Sequence, residues 1–338
     1  MKAPTRRVTL DDLSSDLNIS KFSISRALSG KKGVSDSTRA LVIDAARRLG
    51  YDHPGLKDGT VSQRAQVQLV IPRIDAIDNP SWIDVISGAE SEARRYGWSL
   101  VTTLVEDDFA VVDGDISHVD GIILAGRRSR GLLESYIASE VPVVLIGYPK
   151  PGERIDAVHI DDWEGGFLIG KHLRALGHKE ALFITDAPEY FGRRERLRGC
   201  RDGFGEAGTV NEMLFDPERE RETSKIYQSI SAFRPAPTAL ICASEAVCYN
   251  VLMAVVRAGI RIPNDLSVVT SNSTLRPSQV GFEVTSLHAP MYEVGGAAIG
   301  LLRARLAGED LPVPKRLAMG TELIEKATTT APGNVHTD

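Results

Sequence analysis

Residues 20–30, SKFSISRALSG, carry two kinds of side chain at helical spacing. Ile24, Ala27 and Leu28 fall together on one apolar face. Another face collects cationic, aromatic and hydroxyl side chains, namely Lys21, Phe22, Ser25, Arg26 and Ser29. Arginine can donate two hydrogen bonds to guanine, and an aromatic ring can contact a thymine methyl group. The spacing therefore predicts a helix that contacts base edges; the alternative is a core Phe22 beside a solvated Arg26.

The first 50 residues predict three short helices, of which this is the second. A hydroxyl residue that can cap a helix precedes each one, namely Thr9, Ser20 and Ser35. The buried stripe of the third helix is expected to be Leu41, Ala45 and Leu49. Two helices joined by a tight turn, the second with a polar outer face, are typical of a helix-turn-helix. Hydroxyls and helix N-termini can also contact phosphates, so the candidate DNA-contacting residues are Thr9, Ser20, Lys21, Phe22, Ser23, Ser25, Arg26 and Ser35.

The charge of the chain is unevenly distributed. The formal net charge is −5, yet residues 1–60 hold 11 Lys and Arg against 7 Asp, which leaves +4 there and −9 elsewhere. A small positive excess is a weak sign of nucleic-acid binding by itself, because solvated helix faces often carry one. The charge agrees with the helix-turn-helix prediction but does not establish it.

Beyond residue 66 the pattern changes to short apolar runs that alternate with helical segments. Runs such as VQLVIP, VPVVLIGY, EALFIT, TALICAS and LSVVTS are rich in Val, Ile and Leu, and segments such as GGFLIGKHLRALGH lie between them. This alternation is typical of parallel sheets covered on both faces. The polar stretch before it, with Pro54, Gly55 and Gly59, predicts a linker. The remaining length favours an α/β core of two doubly wound parallel-sheet subdomains.

Ligands bind such sheets beyond the carboxyl ends of the strands, so the residues that follow the apolar runs are candidate contacts. We single out Arg73, Trp82, Arg127, Arg196, Ser244, Glu245 and Asn272. Arginines at strand ends suggest an anion such as a sugar acid or phosphorylated sugar, because guanidinium groups pair with carboxylate or phosphate. The alternative is that the outer arginines are solvated.

No pattern predicts catalysis, a cofactor or a metal site, and we expect the protein not to be an enzyme. The sequence has no P-loop, H-E-x-x-H or G-x-S-x-G motif. Asp161 and Asp162 are either a carboxylate pair or a helix cap, and His178 at a helix-to-strand corner is expected to be structural. The three cysteines fit neither a zinc site nor a redox pair and are predicted to be free, buried thiols. GGAAIG at 295–300 is expected to permit close helix packing.

Membrane association is not predicted either. No run approaches the ~18–20 apolar residues that cross a bilayer, and MKAPTRRVTLDD turns acidic where a secretory signal would be apolar. We therefore expect a cytoplasmic protein.

The segment VTLDDLSSDLNISKFSISRALSGKKGVSDSTRALVIDAARRLGY resembles the N-terminal signature of the lactose-repressor (LacI) family of bacterial transcription regulators. Similar segments, including DWEGGFLIGKHLRALGHKEALFIT, RLRGCRDGF and IPNDLSVV, extend the resemblance over nearly the whole chain. It implies a repressor with a DNA-binding headpiece, a hinge, and a periplasmic-binding-protein-like core that dimerises and binds a small effector between subdomains. The expected boundaries are 1–52 for the headpiece, 53–66 for the hinge and 67–338 for the core, with an N-subdomain at about 67–160 and 291–318 and a C-subdomain at about 161–290 and 319–330.

The resemblance also implies roles for individual residues. Base reading falls to Lys21, Phe22 and Arg26. Trp82 matches a position that stacks on a ring, Arg196 matches the arginine that binds the effector, and Arg73 lies where further effector contacts occur. The implied partners are double-stranded operator DNA, a sugar, sugar acid or phosphorylated sugar, and a second copy of the chain.

The chain departs from the family at three places. Ser244-Glu245 stands where Asn-Asp is common, and Asn272 stands where Asp is common. Thr60 stands where a leucine of the hinge helix enters the minor groove in other members. The alternatives to a regulator are a transport-type solute-binding protein with the same core, against which the three-helix unit argues, and an α/β enzyme.

Overall fold

The structure is a computed structural model that describes residues 8–28, 34–49, 51, 65–73, 81–105, 119–126, 133–134, 136–137, 141–206, 208–216, 223–271, 277–308 and 313–333. Most of the predicted linker, with Thr60, lies outside these ranges, as do the candidate ligand contacts Arg127 and Asn272.

Three helices form the N-terminal unit: α1 Leu10–Leu17, α2 Lys21–Leu28 and α3 Asp36–Leu49. Their buried core comprises Leu13, Ile24, Ala27, Leu28, Val42, Ala45 and Ala46. The prediction that Leu41 belongs to this core is wrong, because Leu41 is 52% exposed whereas Val42 is fully buried. The apolar stripe of α3 follows positions 42, 45, 46 and 49, and Leu41 is rotated by about 100° from Val42 around the helix axis.

The predicted helix starts are confirmed by hydrogen bonds. The backbone N–H and the hydroxyl of Thr9 both donate to Asp12 Oδ2 at 2.8 Å. The hydroxyls of Ser20 and Ser35 each accept the backbone N–H three residues further on, at 3.2 Å. Asn18 ends α1 in the left-handed conformation, with φ of 53°. The turn and both helices of the helix-turn-helix thus follow from local sequence signals.

Strands and helices alternate through the rest of the described chain. The strands are β1 Gln66–Pro72, β2 Ser99–Val105, β3 Gly121–Ala125, β4 Val143–Ile146, β5 Asp156–Ile160, β6 Glu180–Thr185, β7 Thr209–Leu214, β8 Ala239–Cys242, β9 Ser267–Ser271, β10 Thr285–His288, β11 Arg316–Met319 and β12 Glu322–Ile324. The helices after α3 are α4 Trp82–Arg95, α5 Asp162–Ala175, α6 Phe191–Phe204, α7 Thr223–Ser231, α8 Glu245–Arg257, α9 Pro277–Val280 and α10 Met291–Leu306.

These strands form two six-stranded sheets, each the centre of a lobe. The first lobe has the order β11-β5-β4-β3-β1-β2 with all pairs parallel. The second has the order β12-β10-β9-β8-β6-β7, in which only β12 is antiparallel to its neighbour. Apolar clusters cover both faces of each sheet, with α4 and α10 on the first and α5, α6 and α8 on the second. The predicted fold class, two doubly wound parallel sheets behind a helical headpiece, is confirmed.

The chain passes between the lobes three times: between β5 and α5, between β10 and α10, and between β11 and β12. The first and third crossings touch, because the N–H of Asp161 donates to the carbonyl of Met319 at 2.8 Å.

His178 connects the C-terminal end of the described chain to the second lobe through hydrogen bonds. The side chain is buried, and its two ring nitrogens lie 2.8 Å from Thr238 Oγ1 and 2.9 Å from the carbonyl of Thr330. Burial lowers the pKa of His178 from its ordinary value. The structural role predicted for this histidine is confirmed.

The three cysteines, Cys200, Cys242 and Cys248, are free and buried, as predicted. Burial raises the pKa of the Cys200 thiol to about 12. None of the described helices combines the length and the apolar character needed to cross a membrane.

Candidate functional site

The predicted base-reading face of α2 is exposed. Phe22 is 69% exposed, whereas Ile24, on the opposite side of the helix, is fully buried. The guanidinium carbon of Arg26 lies 5.3 Å from the centre of the Phe22 ring, at the i, i+4 spacing that brings helix side chains together. Lys21 pairs with the Asp11 carboxylate of α1. The alternative that Phe22 belongs to the core is therefore wrong.

The hydroxyl groups of Ser20 and Ser35 form hydrogen bonds within the headpiece. Ser20 caps α2, and its hydroxyl also lies 3.0 Å from that of Ser23. Ser35 caps α3 and bonds the hydroxyl of Thr38 at 2.7 Å. Both helix N-termini remain at the surface, because Ser20 and Ser35 are exposed. The exposed N-termini of α2 and α3 can therefore donate backbone N–H groups to an anion.

Arg196 is the centre of a second cluster, at the carboxyl ends of β8 and β9. Its Nη1 donates to the carbonyl of Ala243 at 3.0 Å and to Ser271 Oγ at 2.5 Å. Its Nη2 pairs with the carboxylate of Asp162, and both side chains are largely buried. The Nε of Arg196 is buried without a hydrogen-bond partner in the described part of the chain. The position of the guanidinium group is therefore set by its two other nitrogens, through Ala243, Ser271 and Asp162.

Close packing of α5 on α6 brings Asp162 and Arg196 together. A Cβ atom at Gly166 would lie 2.0 Å from the carbonyl oxygen of Arg196, and one at Gly199 would lie 2.0 Å from that of Trp163. Since such distances exclude any side chain, the glycines permit backbone contact between the two helices.

The neighbouring aspartates have different roles. Asp161 Oδ1 accepts the N–H of Glu164 at 3.0 Å and caps α5. Asp162 instead supplies the counterion of Arg196. Of the two alternatives that the sequence leaves open for this pair, the structure supports the helix cap, and it supports it for Asp161 alone.

The other predicted ligand contacts are divided between the lobes. Ser244 follows β8 beside Ala243 and caps α8, since its Oγ accepts the N–H of Val247 at 3.3 Å. Glu245 is the first residue of α8 and is half-buried. Arg73 and Trp82 belong to the first lobe, where Arg73 is exposed just after β1 and Trp82 begins α4 and packs against the core.

Sequence reasoning did not assign three residues to this site, namely Asp162, Ser271 and Tyr148, whose hydroxyl accepts the backbone N–H of Asp162 at 3.3 Å. A usable signal existed for each, because Asp162 follows β5, Ser271 ends β9 and Tyr148 ends the run VPVVLIGY, all at carboxyl ends of strands. In the described residues, no three His, Cys, Asp or Glu side chains are grouped in a way that could hold a metal ion.

Comparison with known proteins gives consistent matches. Residues 171–329 match the periplasmic binding protein-like domain family. The HTH-type transcriptional regulator DegA of Bacillus subtilis is 26% identical over 302 residues, which cover 86% of this chain and 88% of DegA. The structure of the transcriptional regulator CelR-cellobiose complex aligns with a TM-score of 0.69 and 24% identity over 95% of this chain and 100% of that chain. A LacI family transcriptional regulator from Enterococcus faecium with bound ribose aligns with a TM-score of 0.66 and 18% identity, over 79% of this chain and 99% of that chain.

A helix-turn-helix unit joined to a two-lobed, periplasmic-binding-protein-like core defines a class of DNA-binding transcription regulators. The two structural likenesses establish the fold, and the likeness to DegA extends over most of the chain. The resemblance of the sequence to the lactose-repressor (LacI) family is supported, because the curated relatives that it matches are HTH-type transcriptional regulators and the solved structures that it matches include a LacI family transcriptional regulator.

Proposed function

We propose that the protein is a ligand-responsive repressor that binds an operator of two half-sites as a homodimer. In this proposal the headpiece, residues 1–52, reads the DNA, and the hinge, residues 53–66, links it to the core. The core, from residue 67 onward, binds a small effector between its two lobes. The observation that carries the proposal is the outer face of α2, where an exposed phenylalanine and an arginine lie over a helix whose inner face is fully packed. Leaving a ring of this size in water is unfavourable unless another surface covers it.

Exposed apolar side chains on the first lobe support the homodimer. Ile83 on α4 is 66% exposed, and Leu104 and Val101 are exposed on β2, which is an edge strand. Unpaired, apolar sheet edges are usually covered in soluble proteins. Sedimentation of the intact protein as a monomer at micromolar concentration would contradict a dimer.

The DNA-reading role predicts a difference between two variants of α2. Arg26→Ala is expected to weaken operator binding by about 1–3 kcal/mol and to relax the preference at one base pair. Lys21→Ala is expected to weaken binding to all sequences more evenly and to lower the slope of log affinity against log salt by about 1. The measurement is fluorescence anisotropy between about 50 and 200 mM salt, with operators selected from random DNA by the wild-type protein.

Arg234→Ala, at an exposed arginine of the second lobe, is the matched control and should leave binding unchanged. Equal weakening of all sequences by Arg26→Ala would contradict base reading by that residue. A binding curve that did not respond to salt would contradict the headpiece proposal as a whole.

The charge around Arg196 supports a neutral effector over an anion. Asp162 already supplies its negative partner, and Arg193 is similarly paired with Asp186. An anion would have to compete with these carboxylates for the guanidinium groups, whereas sugar hydroxyls can donate to a carboxylate and accept from a guanidinium N–H without displacing either partner. We therefore place a neutral sugar ahead of a sugar acid or phosphorylated sugar.

A thermal-shift screen tests the effector class. Neutral mono- and disaccharides, sugar acids and sugar phosphates are added separately to the intact protein. A ligand at 100 times its Kd should stabilise the folded state by about 2.7 kcal/mol. We expect stabilisation within the neutral set, and stabilisation by sugar acids or phosphates alone would overturn this assignment without affecting the DNA-binding proposal.

A further inference from the structure

Tyr148 connects the two lobes. It follows β4 in the first lobe, and its hydroxyl donates to the carbonyl of Ile160 at 2.6 Å and accepts the N–H of Asp162 at 3.3 Å. Both partners lie at the first crossing between the lobes. The Tyr148 ring lies 4.9 Å, between ring centres, from Phe191, the first residue of α6 in the second lobe, and 4.2 Å from His159.

Gly192 shows how closely the second lobe approaches this point. A Cβ atom at Gly192 would lie 2.4 Å from Asp162 Oδ2 and 3.2 Å from Cε2 of Tyr148. The start of α6 therefore touches the tyrosine and the aspartate, and a methyl group at Gly192 would have to displace the Asp162 carboxylate. Burial raises the pKa of the Tyr148 hydroxyl well above its ordinary value, so the hydroxyl keeps the proton that it donates to Ile160.

Asp162 is shared by this contact and by the Arg196 cluster. Its backbone N–H donates to Tyr148, and its carboxylate pairs with Arg196. A rotation of one lobe against the other would have to separate Tyr148 either from Phe191 or from the crossing. A molecule that engages Arg196 acts on the same aspartate that Tyr148 holds.

We infer that Tyr148 and Phe191 form an interlobe latch that fixes the lobe orientation and, through it, the spacing of the two headpieces on DNA. This inference rests on the proposed function. The hydrogen bonds of the Tyr148 hydroxyl to Ile160 and Asp162 hold its ring against Phe191 in the closed orientation, and in the open orientation the two rings are apart. Tyr148 is then a positioning residue that acts through Asp162.

Tyr148→Phe is the direct test, because it keeps the ring on Phe191 and removes only the hydroxyl. DNA fragments with one half-site, and with two half-sites at several spacings, are derived from the operator selected by the wild-type protein. We expect Tyr148→Phe to change the ratio of two-site to one-site affinity by about fivefold or more, with one-site affinity unchanged. Gly192→Ala is expected to change the ratio in the same direction, because its Cβ displaces Asp162 and Tyr148.

Two controls separate a latch from a general loss of stability. Tyr249→Phe, at an exposed tyrosine of α8, should keep the wild-type ratio. Phe191→Tyr keeps an aromatic ring at the contact and should also keep the wild-type affinity ratio. Phe191→Ala removes the ring and should change that ratio. A Tyr148→Phe protein with a lower urea midpoint but the wild-type ratio would overturn the latch. A wild-type protein that bound one and two half-sites with equal affinity would instead refute the proposed function on which the latch rests.

Discussion

Asp162→Ala is expected to lower the free energy of unfolding of the second lobe by about 3–5 kcal/mol. The side chains of Asp162 and Arg196 are only 8% and 14% exposed. Removing the carboxylate leaves the guanidinium in place, held by Ala243 and Ser271, with no counterion and little water. Leaving a buried charge unpaired costs more than the intact pair contributes, because the desolvation penalty is no longer offset.

The double variant Asp162→Ala/Arg196→Met distinguishes a stranded charge from lost packing. Replacing both members of a buried ion pair by apolar groups is often close to neutral, so the double variant should recover a large part of the loss. Urea unfolding of the wild type, both single variants and the double variant gives the coupling energy. Equal midpoints for Asp162→Ala and the double variant would show that the loss came from packing.

Glu195→Ala is the matched control on the same helix. Glu195 pairs with the exposed Arg198 at 2.5 Å, and solvent can replace this partner. Exposed ion pairs contribute little to stability, so the unfolding midpoint should stay close to that of the wild type. A loss comparable with that of Asp162→Ala would indicate that α6 tolerates no substitution in this turn.

The headpiece could be predicted from sequence because its signals are local. Helix caps act over three residues, and the opposition of Phe22 to Ile24 is visible within one helical turn. The wrong prediction of the buried stripe of α3 also arose from relying on local sequence alone. Alanines at 45 and 46 fit two adjacent stripes, and only packing against α1 and α2 selects the one through Val42.

The strands were predictable where they are buried on both faces. Continuous apolar runs identify β1, β3, β4, β6, β8 and β9. β7, β11 and β12 lie at sheet edges, where one side faces solvent and no continuous apolar run is needed. β5 begins with the buried Asp156, whose carboxylate is held by Arg305 of α10 at 2.6 and 2.8 Å. A partner 149 residues away leaves no local pattern.

The Arg196 cluster could be predicted only in part, for the same reason. The position of Arg196 after a strand marked it as a ligand contact, but its partners Asp162 and Ser271 are 34 and 75 residues away. The prediction of an anionic effector was based on a count of arginines at strand ends, and that count does not include the carboxylates that the fold brings to Arg193 and Arg196. The net charge at a site depends on which residues the tertiary structure brings together. The sequence pattern identified the arginines but not the carboxylates that pair with them.

Gly295→Ala is expected to destabilise the first lobe by about 3 kcal/mol or more, because the added methyl group has no space. Its Cβ would lie 2.0 Å from the carbonyl oxygen of Val85 and 2.8 Å from the N–H nitrogen of Ala89, both in the backbone of α4. The reciprocal contact is equally close, because a Cβ atom at Gly88 would lie 1.8 Å from the carbonyl oxygen of Tyr292. These backbone atoms cannot move as a flexible side chain would, so α4 and α10 must separate.

Gly300→Ala, five residues further along α10, should have the opposite effect. Among the described residues, no heavy atom outside the adjoining turns of α10 lies within 4 Å of a Cβ at this position, so alanine adds helix propensity without a clash. The expected gain is about 0.5–1 kcal/mol. Urea unfolding of the two variants therefore compares the same substitution in the same helix, with only the helix-to-helix distance differing. Similar midpoints would mean that GGAAIG does not set the spacing of α4, whose first residue is the predicted ring-stacking Trp82.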